Sequence, residues 1–206
     1  MDLGHLATLA FGVLVFLLSV TVHECCHGFL ADRLGDRTAR EAGRLTLNPL
    51  RHVDPFWTVL LPLLLFISTR GQFAMGMAKP VPVNFLNLRH PRRDMIWVAA
   101  AGPGANFLLA ALLSFLFRRY PLSLFLYAAY FNLGLGLFNL IPVPPLDGSR
   151  IVTGLLPLPL ARFYLRAEPF GFLIVLALYF TGVIYWVLLP GMGLFCRLLG
   201  IPTLQW

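Results

Sequence analysis

Two histidines and a glutamate stand inside an apolar run, residues 6–30, that is long enough to cross a bilayer. They form His23-Glu24-Cys25-Cys26-His27. On a helix, residues four apart lie one turn above each other on the same face, so His23 and His27 can offer two imidazoles to one metal ion. Glu24 lies one step round the helix, where it can reach a water on the metal instead of the metal. Two nitrogen ligands with a carboxylate beside them are the zinc-hydrolase pattern, which needs a third protein ligand and an open position. The five-residue pattern alone is weak, and its setting gives it force. An ionisable side chain at bilayer depth costs about 2.5–3.5 kcal/mol on insertion scales, so its presence there points to function. The alternative is three polar residues lining a helix–helix contact.

Composition places the whole chain in a membrane. Of 206 residues, 58% are hydrophobic and 12% charged, against about 25% charged in soluble domains. The expectation is an all-α polytopic membrane protein, a single domain over 1–206 with a core at about 5–156. The net charge of +7 does not indicate nucleic acid, because the basic residues sit in loops beside apolar spans, where they set topology. Three cysteines give no disulfide framework. The N-terminus lacks the basic region and small-residue cleavage site of a signal peptide.

Taken in order, the chain predicts a first helix over about 5–31, then a loop rich in arginine and a turn-rich stretch over 47–55. Residues 56–68 are apolar but short, with Pro62 in the middle, which suits a re-entrant segment better than a span. Residues 72–84 are punctuated by glycine and proline and end in Lys79-Pro80-Val81-Pro82-Val83-Asn84. They read as a hairpin-like extended loop, tolerated at membrane depth only inside protein or a wet cavity. Further helices are expected at about 95–117, 122–140 and 170–189, with a short segment at 149–156 and an interfacial tail. That gives about four core transmembrane helices plus the re-entrant element. If 56–84 does not cross, the loops 32–93 and 148–169 share one side and hold 13 of the 16 Lys and Arg residues. The positive-inside rule then places the N-terminus outside and the histidine end of the first helix near the cytoplasm.

The third ligand must come from elsewhere. Asp147 lies just past the end of the 122–140 helix, which reaches the same face as His27, and is the best-placed acid. His52 and Asp54 compete from a loop at that face.

Here the sequence resembles the site-2 protease family of intramembrane zinc metalloproteases, in a short form without PDZ or CBS domain. The resemblance rests on His23-Glu24-x-x-His27 and Asn139-x-x-Pro142-x-x-Pro145-x-Asp147-Gly148. Asn48-Pro49-x-x-His52-x-Asp54-Pro55, Lys79 to Asn84 and Ala101-Gly102-Pro103-x-x-Asn106 also match one bacterial-type branch. It implies that His23, His27 and Asp147 hold one zinc ion per chain and that Glu24 is the general base. It further implies that Asn139 positions substrate or the developing oxyanion, and that the 72–84 segment (Lys79, Pro80, Val81, Pro82, Val83 and Asn84) guides an unwound substrate strand by β-augmentation. Asn106 is either a weaker substrate contact or a bond between helices, and His52 and Asp54 are supporting groups. The expected partners are a transmembrane protein substrate and the lipid bilayer of a prokaryotic cell. The rival reading is a non-proteolytic zinc-binding membrane protein, a carrier or a substrate-binding scaffold. A carrier should line a path with paired ionisable residues, and the later helices are nearly bare of them.

Overall fold

In the computed structural model the histidine-bearing run is one long helix, α1 (Leu3–Arg33). The structure describes residues 3–69, 76 and 78–203. The chain leaves α1 through a tight cap, with the Asp36 N–H returning to the Ala31 carbonyl at 2.9 Å and the Gly35 N–H to Asp32 at 3.3 Å. The Asp36 side chain is fully buried. It accepts from the Thr38 N–H and hydroxyl, from the Asn84 N–H at 2.7 Å and from Asn87 Nδ2 at 3.1 Å. Burial pushes its pKa up, but these hydrogen bonds outweigh burial and hold the carboxyl below its ordinary value. Asp36 therefore fastens the loop after α1 to the segment that precedes the next long helix.

A single turn, α2 (Thr38–Glu41), and a 3₁₀ turn at Pro49–His52 follow. Asp54 then caps a wide-turned segment, Pro55–Leu60, by accepting from the Phe56 and Trp57 N–H groups at 2.9 Å each. It runs straight into α3 (Leu61–Ser68), and Pro62 is tolerated because it falls in the first turn of α3. The expected short apolar element is thus helical. Among the described residues there is no strand. Residues 78–83 run without helix, and residues 72–75 and 77 of the expected hairpin lie outside the described residues.

The centre of the molecule is α4 (Pro91–Arg119), which begins on Pro91 and ends on Arg118 and Arg119, a favourable charge at a helix C-terminus. It packs against α1 and against α5 (Ser123–Asn139). After a turn over 140–146, α6 (Asp147–Leu155) folds back on α4. Gly148 permits this: a Cβ there would lie 2.2 Å from the Leu140 carbonyl oxygen and 2.6 Å from that of Ile141.

The C-terminal third corrects the expectation of one helix over 170–189. It forms α7 (Leu158–Leu165), α8 (Gly171–Phe180) and α9 (Val183–Leu199). The break comes at Gly182, whose φ of +76° ends α8 and redirects the chain. α9 packs on α5 through Leu133, Met192 and Cys196, with Phe107 and Phe195 stacked at 4.7 Å alongside. Among the described residues, three helical stretches are long and apolar enough to cross a membrane: Ala10–Arg33, Pro91–Arg119 and Leu158–Phe180. α5, with 17 residues, extends about 26 Å at 1.5 Å per residue, at the lower limit for crossing a hydrocarbon core of about 30 Å.

Candidate metal centre

α1 presents His23 and His27 from one face, and the first residue of α6, Asp147, meets them. The two Nε2 atoms are 3.0 Å apart, and Asp147 Oδ2 lies 3.1 Å from that of His23 and 3.2 Å from that of His27. Both imidazoles are buried. His27, His23 and Asp147 are the one group of potential metal ligands found among the described residues.

The protonation pattern tests whether a cation fits. His27 Nδ1 is 2.6 Å from the carbonyl oxygen of Val98, which can only accept, so Nδ1 carries a proton and the neutral ring keeps its lone pair on Nε2. His23 Nδ1 is 2.6 Å from Asn106 Oδ1, which imposes the same tautomer. Asp147 Oδ2 is buried and accepts no hydrogen bond. With both rings neutral, two Nε2 lone pairs converge on a carboxylate oxygen. Tetrahedral zinc, with bonds of about 2.0–2.2 Å, sets such ligand atoms roughly 3.3 Å apart. The donor set and its spacing suit that ion.

α4 makes the space. Val98, Gly102 and Asn106 follow one another at intervals of four along its inner face, giving in turn a carbonyl, a gap and an amide. A Cβ on Gly102 would sit 2.3 Å from His27 Nε2 and 2.6 Å from His23 Nε2. Gly102 therefore clears room for the imidazoles.

Glu24 points to the extended segment. Its Oε2 accepts the Val81 N–H at 2.8 Å. Val81 is buried and packs on Gly28, while Val83 joins the cluster of Ala31, Leu88, Met95 and Val98. The Lys79 N–H donates to the His52 carbonyl at 2.9 Å, and Arg44 holds the Lys79 and Pro80 carbonyls at 2.9 and 3.4 Å. Pro80 and Pro82 have no N–H, and Asn84 is tied to Asp36. His52 Nε2 lies 2.9 Å from the Thr46 carbonyl, and Asp54 is the cap described above, so neither joins the metal group. Asn139 ends α5 with Nδ2 donating to the Leu135 carbonyl at 2.9 Å. Cys25 turns to the Thr46 carbonyl. Cys26, with Phe29, Ala101, Ala105 and Phe107, lines an apolar groove of about 700 Å³ between α1, α4 and α9.

Sequence reasoning named Gly102 only as part of a motif and did not find Ser19 or Asn132. The available signal was polarity: Asn132 and Ser19 interrupt otherwise apolar helices.

Comparison with known proteins decides the family. The model of Peptidase family M50 matches residues 11–121 and 116–182. The chain belongs to this family. Its members that resemble the chain include a Bacillus subtilis protein named "Putative zinc metalloprotease YwhC", 36% identical over 90% of this chain and 87% of its own length. Two others are named "Putative zinc metalloprotease Rip2": that of Mycolicibacterium smegmatis is 32% identical over 83% of this chain and 70% of its own, and that of Mycobacterium tuberculosis 33% over 84% and 70%. No solved structure matches the chain. This M50 protein is an intramembrane zinc metalloprotease of the site-2 protease type.

Proposed function

We propose that His23, His27 and Asp147 hold one zinc ion per chain, and that Glu24 is the general base for hydrolysis of peptide bonds in or beside transmembrane segments. The observation that carries this reading is the convergence of two Nε2 atoms and a buried carboxylate oxygen within about 3 Å of one another. Zinc bound there would supply Lewis-acid chemistry, acidifying a water and polarising a carbonyl. Glu24, one residue along from His23, takes the water proton on its carboxylate and returns it to the leaving amine. Asn139 donates to the developing oxyanion once its Nδ2 leaves the Leu135 carbonyl.

A substrate helix hides its amides in its own hydrogen bonds and must unwind to be cut. The apolar groove beside Cys26 suits the approach of such a helix from the lipid. The hairpin-like 72–84 segment, through Lys79, Pro80, Val81, Pro82, Val83 and Asn84, receives the unwound strand. Residues 56–84 enter the membrane and return on the same side, and α5 completes a fourth crossing. The N-terminus is outside and the metal end of α1 near the cytoplasm of a prokaryotic cell, supported by the clustering of 13 of 16 basic residues and by the bacterial and mycobacterial relatives.

The test is cleavage of a panel of single-pass membrane segments by purified protein in detergent, with zinc content measured on the same sample. Wild type is expected to carry about one zinc and to cut; Glu24→Gln should keep the zinc and lose cutting. Cleavage at the wild-type rate by Glu24→Gln, or wild-type protein prepared without chelator that contains no zinc, would overturn the assignment.

A further inference from the structure

A polar column runs away from the metal centre through the apolar interior. His23 Nδ1 meets Asn106 Oδ1 at 2.6 Å, and Asn106 Nδ2 donates to Asn132 Oδ1 at 3.0 Å. Asn132 Nδ2 donates in turn to Ser19 Oγ and to the Ala128 carbonyl, both at 2.9 Å. All of these side chains are buried, and they join α1, α4 and α5. An unpaired amide in such surroundings would be costly, so the column is held together as a unit.

Its direction can be read from one end. The Ala128 carbonyl can only accept, so the atom of Asn132 that faces it is Nδ2, and Oδ1 is left to face Asn106. Oδ1 also only accepts, so Asn106 must present Nδ2 to it and its own Oδ1 to His23. An acceptor beside His23 Nδ1 keeps the proton there and leaves the lone pair on Nε2, the atom that faces Asp147. One backbone carbonyl of α5 thereby sets the chemistry of a side chain on α1, through two amides that could each otherwise turn over.

The geometry points to Asn132 as a positioning residue for the metal centre, acting through Asn106 to fix the tautomer and ring orientation of His23. Asn106 is then a ligand-orienting residue, and not a substrate contact. The inference rests on the zinc assignment above. Ser19 accepts the second N–H of Asn132 and stops its amide from turning.

The experiment uses the purified full chain in detergent. Zinc affinity is measured by competition with a chromophoric chelator for wild type, Asn106→Leu, Asn106→Asp and Asn132→Leu. In the metal-free proteins, ¹⁵N-histidine spectra report which nitrogen of His23 is protonated. Loss of an outer-shell partner typically weakens metal binding about 10–100-fold, and that loss is expected for Asn106→Leu and Asn132→Leu. Asn106→Asp should retain more affinity than Asn106→Leu, because a carboxylate accepts the same Nδ1–H, although it sets an oxygen against Asn132 Oδ1. Asn132→Leu should also change the His23 spectrum from a single Nδ1–H tautomer to a mixture. If Asn132→Leu does not fold, Asn132→Ala, which only removes atoms, carries the same reading. A column that merely packs helices would lower metal-free thermal stability while leaving zinc affinity and the His23 tautomer unchanged, and that result overturns the proposal. Wild type that binds no zinc while holding His23 as the Nδ1–H tautomer would instead overturn the zinc assignment and leave the column standing.

Discussion

The carboxylate of Glu24 and the backbone N–H of Val81 are hydrogen-bonded at 2.8 Å, although 57 residues separate them. Val81 stands between two prolines, so its N–H is the single amide donor over residues 80–82, and it is directed at the proposed general base. The extended segment and the catalytic helix are therefore joined at the chemistry itself.

Val81→Pro tests that junction, because it removes the donor and keeps an apolar side chain. A hydrogen bond to a charged group contributes about 1.5–3 kcal/mol. Its loss should lower kcat/KM about 10- to 100-fold with zinc content unchanged. Val81→Ala keeps the N–H and should cost less. Equal activity of the two variants in a peptide-cleavage assay would show that the N–H does not matter.

Gly102→Ala places a methyl group within 2.3–2.6 Å of both imidazole rings. The rings must turn, and zinc affinity measured by chelator competition should fall at least about tenfold, the cost expected when a ligand's orientation is disturbed. Gly104→Ala is the control, since a Cβ there meets nothing within 4 Å.

Asp36 makes a prediction in pH. Its folded pKa lies below the ordinary carboxylate value of about 3.9. Its stabilising contribution is thus fully present above that value and is lost as pH falls through the folded pKa. Thermal unfolding of wild type should show a stability loss below about pH 4, and Asp36→Asn should flatten it. At neutral pH Asp36→Ala should be less stable than wild type, because the part-buried donors of Thr38, Asn84 and Asn87 lose their shared acceptor, and a typical hydrogen bond contributes about 0.5–1.5 kcal/mol.

Metal removal should lower the unfolding temperature reversibly. At free zinc 100-fold above Kd, binding adds about 2.7 kcal/mol to stability. Chelation should remove that increment and added zinc restore it. Asp147→Ala should show little difference between the two conditions; a full zinc-dependent shift in that variant would count against Asp147 as a ligand.

Much of this arrangement was legible in the residues. The long helices were anticipated to within a few positions at each end, because their apolar runs are long and bounded by charged or proline-rich loops. Helical spacing paired His23 with His27, and the helix ends made Asp147 the best-placed acid beside His52 and Asp54; the family resemblance singled out Asp147. The break at Gly182 was hidden, since the residues on both sides are uniformly apolar and one glycine inside such a run is compatible with a continuous helix. The polar column was hidden for another reason. Its links span 83, 26 and 113 residues, and hydropathy shows that Asn106 and Asn132 are buried without showing that they touch.

His27 is held from behind by the peptide oxygen of Val98 and His23 by the side chain of Asn106. The first contact persists with any residue at 98 that keeps α4 helical, whereas the second depends on one amide. Half of the scaffold of this centre is thus encoded in a letter of the sequence, and half only in the path of a helix. A scan of substitutions along α4 should find that zinc affinity tolerates other apolar residues that fit the packed position 98 but depends strictly on position 106, two turns away on the same face.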